Sequence, residues 1–205
     1  FIDKKQSSLE AQLTNLCDEI AYNNHDIQDG VKAKKIFIEQ LEILPIFSDQ
    51  MKIVLKKYPK LIGSKVINET VRLIINLLVT DLINNSNKNI NDKGIITAED
   101  VRNCNSLIIS FSDEVKKLNI ELKKFLYANL YKHPDVVIMT EHANLIIKNL
   151  FSSYIEDINL LPNDYIKYNL NKINSGFKER VICDYIAGMT DRFAQNEHTK
   201  LYKVI

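Results

Sequence analysis

The stretch LEAQLTNLCDEIAYNNHDIQDG, residues 9–30, has the apolar spacing of a long amphipathic helix. Its apolar and small side chains recur at helical intervals, at Leu9, Leu13, Leu16, Cys17, Ile20 and Ala21. Ser7 and Glu10 have the spacing of a capping box, which marks a helix start, and Gly30 is a poor residue for a helix interior. We therefore predict a helix over residues 7–29 that stops or kinks at Gly30.

The same helix carries a second line of residues, which is polar. At about 100° per residue, this line contains Asp18, Tyr22, His25 and Asp29, with Asp26 beside them. The residue types leave two interpretations open: a solvated outer face, or one wall of a metal or substrate site. Asp18 and Asp26 lie about 12 Å apart along the axis, too far to share one ion. They could instead serve an ion and a hydroxyl at the two ends of one extended ligand.

The rest of the chain also favours helices. Its 205 residues include only 5 glycines and 4 prolines, and no alternating strand pattern is flanked by hairpin signals. Further helices are predicted over residues 31–43, 48–57, 60–85, 112–131 and 135–158, from Thr97, near 163, and from about 176 to 198. The segment NNSNKNINDKG, residues 84–94, has almost no apolar content and is predicted to be a flexible loop. The predicted fold class is all-α, a multi-helix bundle forming a single helical domain over residues 1–205.

Composition argues against several classes of protein. The formal net charge is +1, from 27 basic and 26 acidic residues, so nothing indicates a nucleic-acid partner. The three cysteines are scattered, without the spacing of a zinc site or a disulfide framework. The apolar stretch LIINLLVTDLI, residues 73–83, is too short and too polar to span a bilayer. We expect a cytoplasmic protein with reduced thiols and no membrane partner.

Several segments, in order along the chain, resemble one enzyme family. Residues 9–30 are similar to the helix of HD-domain deoxynucleoside triphosphate triphosphohydrolases that reads E-A-Q, then D-E-I-A-Y-N-x-H-D-I-x-D-G. Residues 125–140, 153–162 and 179–194 resemble the carboxy-terminal half of the same proteins, the bacterial dGTPase-like ones above all. The resemblance implies the HD-domain type of helical bundle.

The resemblance also implies an activity and a set of residues. Members of this family split a deoxynucleoside triphosphate into a deoxynucleoside and inorganic triphosphate, using a divalent ion such as Mg²⁺ or Mn²⁺. Asp18 matches a metal ligand of the family, and Tyr22 and Asp26 match the residues that hold the 3′-hydroxyl of the sugar. A deoxynucleoside triphosphate is therefore the implied substrate, and the resemblance further implies a homo-oligomer.

The remaining metal ligands of the family have no match in this sequence. His25 and Asp26 spell HD, but the family's upstream His and its His-Asp pair correspond to positions before Phe1. Asp18 alone cannot hold a catalytic ion with useful affinity. We therefore expect the 205 residues alone to be inactive, with no catalytic residue identifiable in them. The alternative to an enzyme is a catalytically inactive fragment that acts as a helical oligomerisation or regulatory module.

Overall fold

The computed structural model describes residues 5–202, and these residues form helices and no strand. The helices are α1 Leu9–Lys32, α2 Ile38–Leu41, α3 Pro45–Lys57, α4 Ser64–Asp92, α5 Ala98–Asn103, α6 Asp113–Leu126, α7 Pro134–Glu156, α8 Asn163–Asn174, α9 Lys178–Ala187 and α10 Asp191–Tyr202. A π-helical turn, Tyr127–Tyr131, continues α6, and a 3₁₀ turn, Ile158–Leu160, follows α7. The prediction of an all-α fold is confirmed.

The chain divides into two compact units, residues 1–133 and 134–205, where the sequence predicted one helical domain. We call them the amino-terminal and carboxy-terminal units. The division falls at Pro134, the first residue of α7. Proline has no N–H to donate and disfavours a helical conformation in the residue before it, so one helix cannot run through this point undisturbed.

The core of the amino-terminal unit lies among α1, α3, α4 and α6. In it α1 packs against α4 and α6, while α3 packs against the same two helices. The side chains at its centre are fully buried and apolar; among them are Ile27, Phe47, Leu78 and Leu122. On α6, Leu122 and Leu126 are buried in this core while Leu118 and Phe125 pack against it, as does Leu130 in the π-helical turn that follows.

Both ends of α1 differ from the sequence prediction. Ser8, and not Ser7, is the N-cap residue, and its Oγ accepts a hydrogen bond from the Ala11 N–H at 3.3 Å. The helix also passes through Gly30 to Lys32. A Cβ at residue 30 would lie 2.7 Å from Cδ1 of Ile36, so glycine is used here for close packing and not to end the helix.

The predicted loop over residues 84–94 is helical as far as Asp92, and the prediction is wrong for that part. Two asparagines of this segment donate hydrogen bonds to the non-helical residues 108–110, which precede α6. Asn85 donates to the carbonyl oxygen of Ser110 at 2.9 Å, and Asn89 donates to that of Ile108 at 2.8 Å. These tertiary hydrogen bonds override a composition that by itself favours a loop.

The carboxy-terminal unit is built around α7, which packs against α9 and α10. Its buried core contains Ile146, Leu150, Tyr154, Leu161 and Ile182. The single helix predicted from about 176 to 198 is two helices, α9 and α10. The first helix ends at Ala187 with Gly188 as its C-cap residue, and the Oγ1 of Thr190 accepts a hydrogen bond from the Phe193 N–H at the start of the second. None of the helices over residues 5–202 has the length and apolar character needed to cross a membrane.

Candidate functional site

The predicted site residues lie along α1, with unequal exposure. Asp18 is exposed, Tyr22 is 61% exposed, and Asp26 is half-buried. Their spacing of four residues places them along one side of the helix. Ile20 and Ile27 anchor the buried side of α1 in the core. The polar line therefore runs from open solvent at Asp18 to the edge of the packed core at Asp26.

Asp26 has a partner that the sequence did not identify. The hydroxyl of Tyr131 donates a hydrogen bond to Oδ2 of Asp26, across a separation of 105 residues in the chain. This contact fixes one oxygen of the Asp26 carboxylate and leaves Oδ1 as an acceptor. Tyr22 is also close enough to influence the charge state of Tyr131. The structure thus brings Tyr22, Asp26 and Tyr131 together.

The position of Tyr131 depends on a change of helix type. The Lys132 N–H donates to the Tyr127 carbonyl at 3.1 Å, which is the i to i−5 pattern of a π-helical turn. The preceding residue Leu126 is buried in the core and anchors the end of α6. Such turns are found frequently at functional sites. No residue pattern in segment 125–140 revealed it, although the same segment carried the family resemblance.

Tyr131 has a strongly perturbed acidity. Burial, the hydrogen bond to the Asp26 carboxylate and the negative charge there together raise its pKa from 10.0 to about 12, and burial is the largest of these causes. Each cause disfavours the phenolate. Tyr131 therefore remains protonated at neutral pH and acts as a permanent donor to Asp26.

This acidity gives a testable pH dependence. Because the folded pKa is raised above the unfolded one, the stability contributed by Tyr131 is complete below pH 10 and is lost as the pH rises towards 12. We expect the phenolate absorbance of Tyr131, isolated by subtracting the titration of Tyr131→Phe, to develop near pH 12. Subtracting Tyr168→Phe, at an 87% exposed tyrosine, gives the reference titration. Coincidence of the two titrations would contradict the contact with Asp26.

The described residues do not form a complete metal site. Among residues 5–202 there is no group of three or more His, Cys, Asp or Glu side chains that could hold an ion. Asp18 makes no hydrogen bond or ion pair within that range, so its carboxylate is available as a single hard ligand. His25 is exposed on the same helix. These residues fit one ligand position and not a whole coordination sphere.

In the carboxy-terminal unit, α9 carries charged residues whose role the sequence left undecided. Arg180 donates from Nε to the Asp184 carboxylate at 2.8 Å, four residues further along the helix. Both side chains are exposed, which is the geometry of an ordinary intrahelical ion pair. This part of the segment has a structural explanation without a ligand.

Comparison with known proteins covers the whole chain. The model of the phosphohydrolase-associated domain matches residues 109–200. This chain is also similar to proteins named deoxyguanosinetriphosphate triphosphohydrolase-like. It is 44% identical to the one from Thiobacillus denitrificans, 44% to the one from Bordetella pertussis and 40% to the one from Geobacter sulfurreducens. These alignments include 100%, 100% and 99% of this chain, and 53%, 52% and 52% of the relatives. The chain therefore spans about half the length of the curated relatives that it matches.

Proposed function

Because the chain belongs to the family of deoxyguanosinetriphosphate triphosphohydrolase-like proteins, we propose that it supplies one metal ligand and the sugar-binding residues of a deoxynucleoside triphosphate triphosphohydrolase. The reaction is the hydrolysis of a deoxynucleoside triphosphate to a deoxynucleoside and inorganic triphosphate. Asp18 is the metal ligand, and Tyr22 and Asp26 bind the deoxyribose. The hydrogen bond from Tyr131 to Asp26 is the observation that carries this proposal.

That hydrogen bond prepares Asp26 to accept a sugar hydroxyl. One carboxylate oxygen, Oδ2, is held by Tyr131, which restricts the side chain and leaves Oδ1 as the second acceptor. An ionised carboxylate offers several acceptor positions, so a second donor can bind without displacing Tyr131. The 3′-hydroxyl of a deoxyribose is a donor of the required kind.

Tyr22 supplies selectivity for the deoxy sugar. Its ring is 61% exposed, one helical turn before Asp26, and no neighbouring side chain covers most of its surface. A sugar whose 3′-hydroxyl is bound to Asp26 would rest its C2′ edge against this ring. A 2′-hydroxyl at that edge would meet an aromatic surface and lose its hydrogen bonds to water, which disfavours a ribonucleotide.

Asp18 lies at the opposite end of the line, about 12 Å from Asp26 along the helix axis. This separation suits a nucleotide whose sugar lies near Asp26 and whose phosphates lie towards Asp18. A divalent ion bound there would lower the pKa of a coordinated water and polarise the phosphate oxygens. Within residues 5–202 no group of three or more His, Cys, Asp or Glu side chains could hold the ion, so the proposal assigns one of its ligands, Asp18, to this part of the chain.

The sugar assignment is tested with Asp26→Asn in the intact protein. An asparagine keeps the shape but replaces a charged acceptor by a neutral one, and hydrogen bonds to charged groups contribute about 1.5–3 kcal/mol. We expect the ratio of kcat/KM for dGTP over its 3′-deoxy analogue to fall about tenfold or more. Tyr22→Phe is also expected to lower that ratio, because it removes the hydroxyl of the second residue proposed to hold the 3′-hydroxyl.

Asp49→Asn is the matched control, since Asp49 is an exposed aspartate on α3 that pairs with Lys52. Its ratio of kcat/KM for the two nucleotides should equal that of the parent protein. An unchanged ratio in Asp26→Asn, measured on folded protein, would remove Asp26 from the sugar site.

A further inference from the structure

A chain of polar side chains joins α1 to α6 inside the amino-terminal unit. Asn23 donates from Nδ2 to Oδ1 of Asn119 at 3.1 Å, and Asn119 donates from Nδ2 to Oε1 of Glu19 at 2.7 Å. Lys123 completes the chain with a 2.9 Å ion pair to Oε2 of Glu19. We call these four residues the amide relay. Asn23 and Asn119 are only 7% and 2% exposed, so the relay runs from the surface into the core.

Apolar side chains of the two helices also pack together. Ile20 and Ile27 on α1 share the core with Leu122 and Leu126 on α6. Apolar burial has little directionality, so small rotations of α1 about its axis would bury a similar area. The two buried amides are satisfied in only one of those arrangements, and a buried amide without its partner is costly. The relay therefore selects one rotation of α1 against α6.

That rotation determines where the proposed sugar and metal residues point. Glu19 directly follows Asp18 and Asn23 directly follows Tyr22, so each relay residue of α1 lies about 100° around the helix from a site residue. At the other end, Leu130 lies against Gly30, where a Cβ on the glycine would be 3.4 Å from Cδ1 of Leu130, and Tyr131 binds Asp26. The relay therefore holds α1 at residues 19–23, and the contacts of Leu130 and Tyr131 hold it further along, at residues 26–30.

We propose that Asn23, Asn119 and Glu19 are positioning residues, which hold α1 in the rotation that lets Tyr22 and Asp26 bind a deoxyribose together. This inference rests on the proposed function for its substrate, although the positioning itself is independent of the substrate. Asn23 and Asn119 do not touch the nucleotide. They act through the orientation of the neighbouring residues on α1 and through the alignment of Asp26 with Tyr131.

The test is the double variant Asn23→Leu with Asn119→Leu, in the intact protein. Leucine has the branched outline of asparagine with bulkier ends, and the double variant removes both amides at once, so neither is left buried without its partner and the protein is expected to fold. We expect the preference for dGTP over its 3′-deoxy analogue to fall tenfold or more. We also expect the Tyr131 titration, isolated by subtracting the Tyr131→Phe form of the same variant, to move towards lower pH.

Asn169→Leu is the control, because Asn169 is a 4% exposed asparagine in the carboxy-terminal unit with no part in the relay. It should change neither the nucleotide preference nor the Tyr131 titration. If the double variant does not fold, Glu19→Ala interrupts the relay at a half-exposed position and should produce the same two changes to a smaller extent.

The two readouts separate the two proposals. A folded relay variant with an unchanged Tyr131 titration and an unchanged nucleotide preference overturns the positioning role. A parent protein that does not distinguish dGTP from the 3′-deoxy analogue overturns the sugar site, and the Tyr131 titration then decides on the relay alone. A shift of that titration in the relay variant, absent in Asn169→Leu, supports the positioning role in either case.

Discussion

Replacing Asp18 by alanine is expected to lower the metal-dependent hydrolysis of dGTP by the intact protein at least about a thousandfold. A bound divalent ion contributes several kcal/mol of charge stabilisation in the transition state, and each 1.36 kcal/mol corresponds to a factor of ten in rate. Asp18 is exposed and makes no hydrogen bond or ion pair within residues 5–202 that its loss would break, so the fold should be unaffected. The measurement is the release of inorganic triphosphate as a function of metal concentration.

The metal affinity of the same variant provides a second readout that does not depend on turnover. Removal of a direct ligand should weaken the binding of Mn²⁺ at least tenfold, by analogy with the effect of losing an outer-shell partner. The control is Asp49→Ala, which removes an exposed carboxylate from another helix of the same unit. Rates and metal affinity equal to those of the parent protein in Asp18→Ala would remove Asp18 from the metal site.

The candidate site residues on α1 could be identified from the sequence because they are close together in the chain. Asp18, Tyr22 and Asp26 are separated by single helical turns, and helical periodicity alone places them on one side of α1. It did not reveal Tyr131, because the contact with Asp26 spans 105 residues and depends on a π-helical turn. A hydrogen-bond ladder that shifts by one residue leaves no periodic signal in the apolar pattern.

The core face of α1 was predicted only in part. Leu13 was assigned to the apolar stripe but is 42% exposed, whereas Gln12 beside it is 3% exposed. The reason is a backbone requirement elsewhere in the unit. Oε1 of Gln12 accepts hydrogen bonds from the N–H groups of Ile108 and Ile109, at 2.9 and 3.2 Å. A buried segment without helical hydrogen bonds needs a side-chain acceptor, and apolarity patterns do not predict that need.

The asparagine-rich end of α4 illustrates the same limit. Its composition favours a loop, which is what the sequence predicts for residues 84–94. In the folded protein, the amides of Asn85 and Asn89 donate to carbonyl groups of the same stretch, residues 108–110, whose N–H groups donate to Gln12. The helix persists because its polar side chains have tertiary partners. Local composition therefore predicted the helices whose partners are solvent or apolar, and failed where a polar face is used for packing.

Replacing Phe47 by alanine is expected to produce the largest loss of stability among single changes outside the site. Phe47 lies in the first turn of α3 with no exposed surface, in the core shared with α1, α4 and α6. Truncation of a buried phenylalanine removes its transfer free energy and leaves a cavity, which together lower the free energy of unfolding by about 3–5 kcal/mol. Urea unfolding followed by circular dichroism measures this loss.

Phe37→Ala is the matched control, since Phe37 is 56% exposed at the N-cap of α2. Its free energy of unfolding should fall by less than about 1 kcal/mol, because little apolar surface is removed from the core. Phe47 is a core residue and not one of the proposed site residues, so the folded fraction of Phe47→Ala should keep the parent's preference for dGTP over the 3′-deoxy analogue. Equal losses of stability in the two variants would contradict the placement of Phe47 in the core that supports α1.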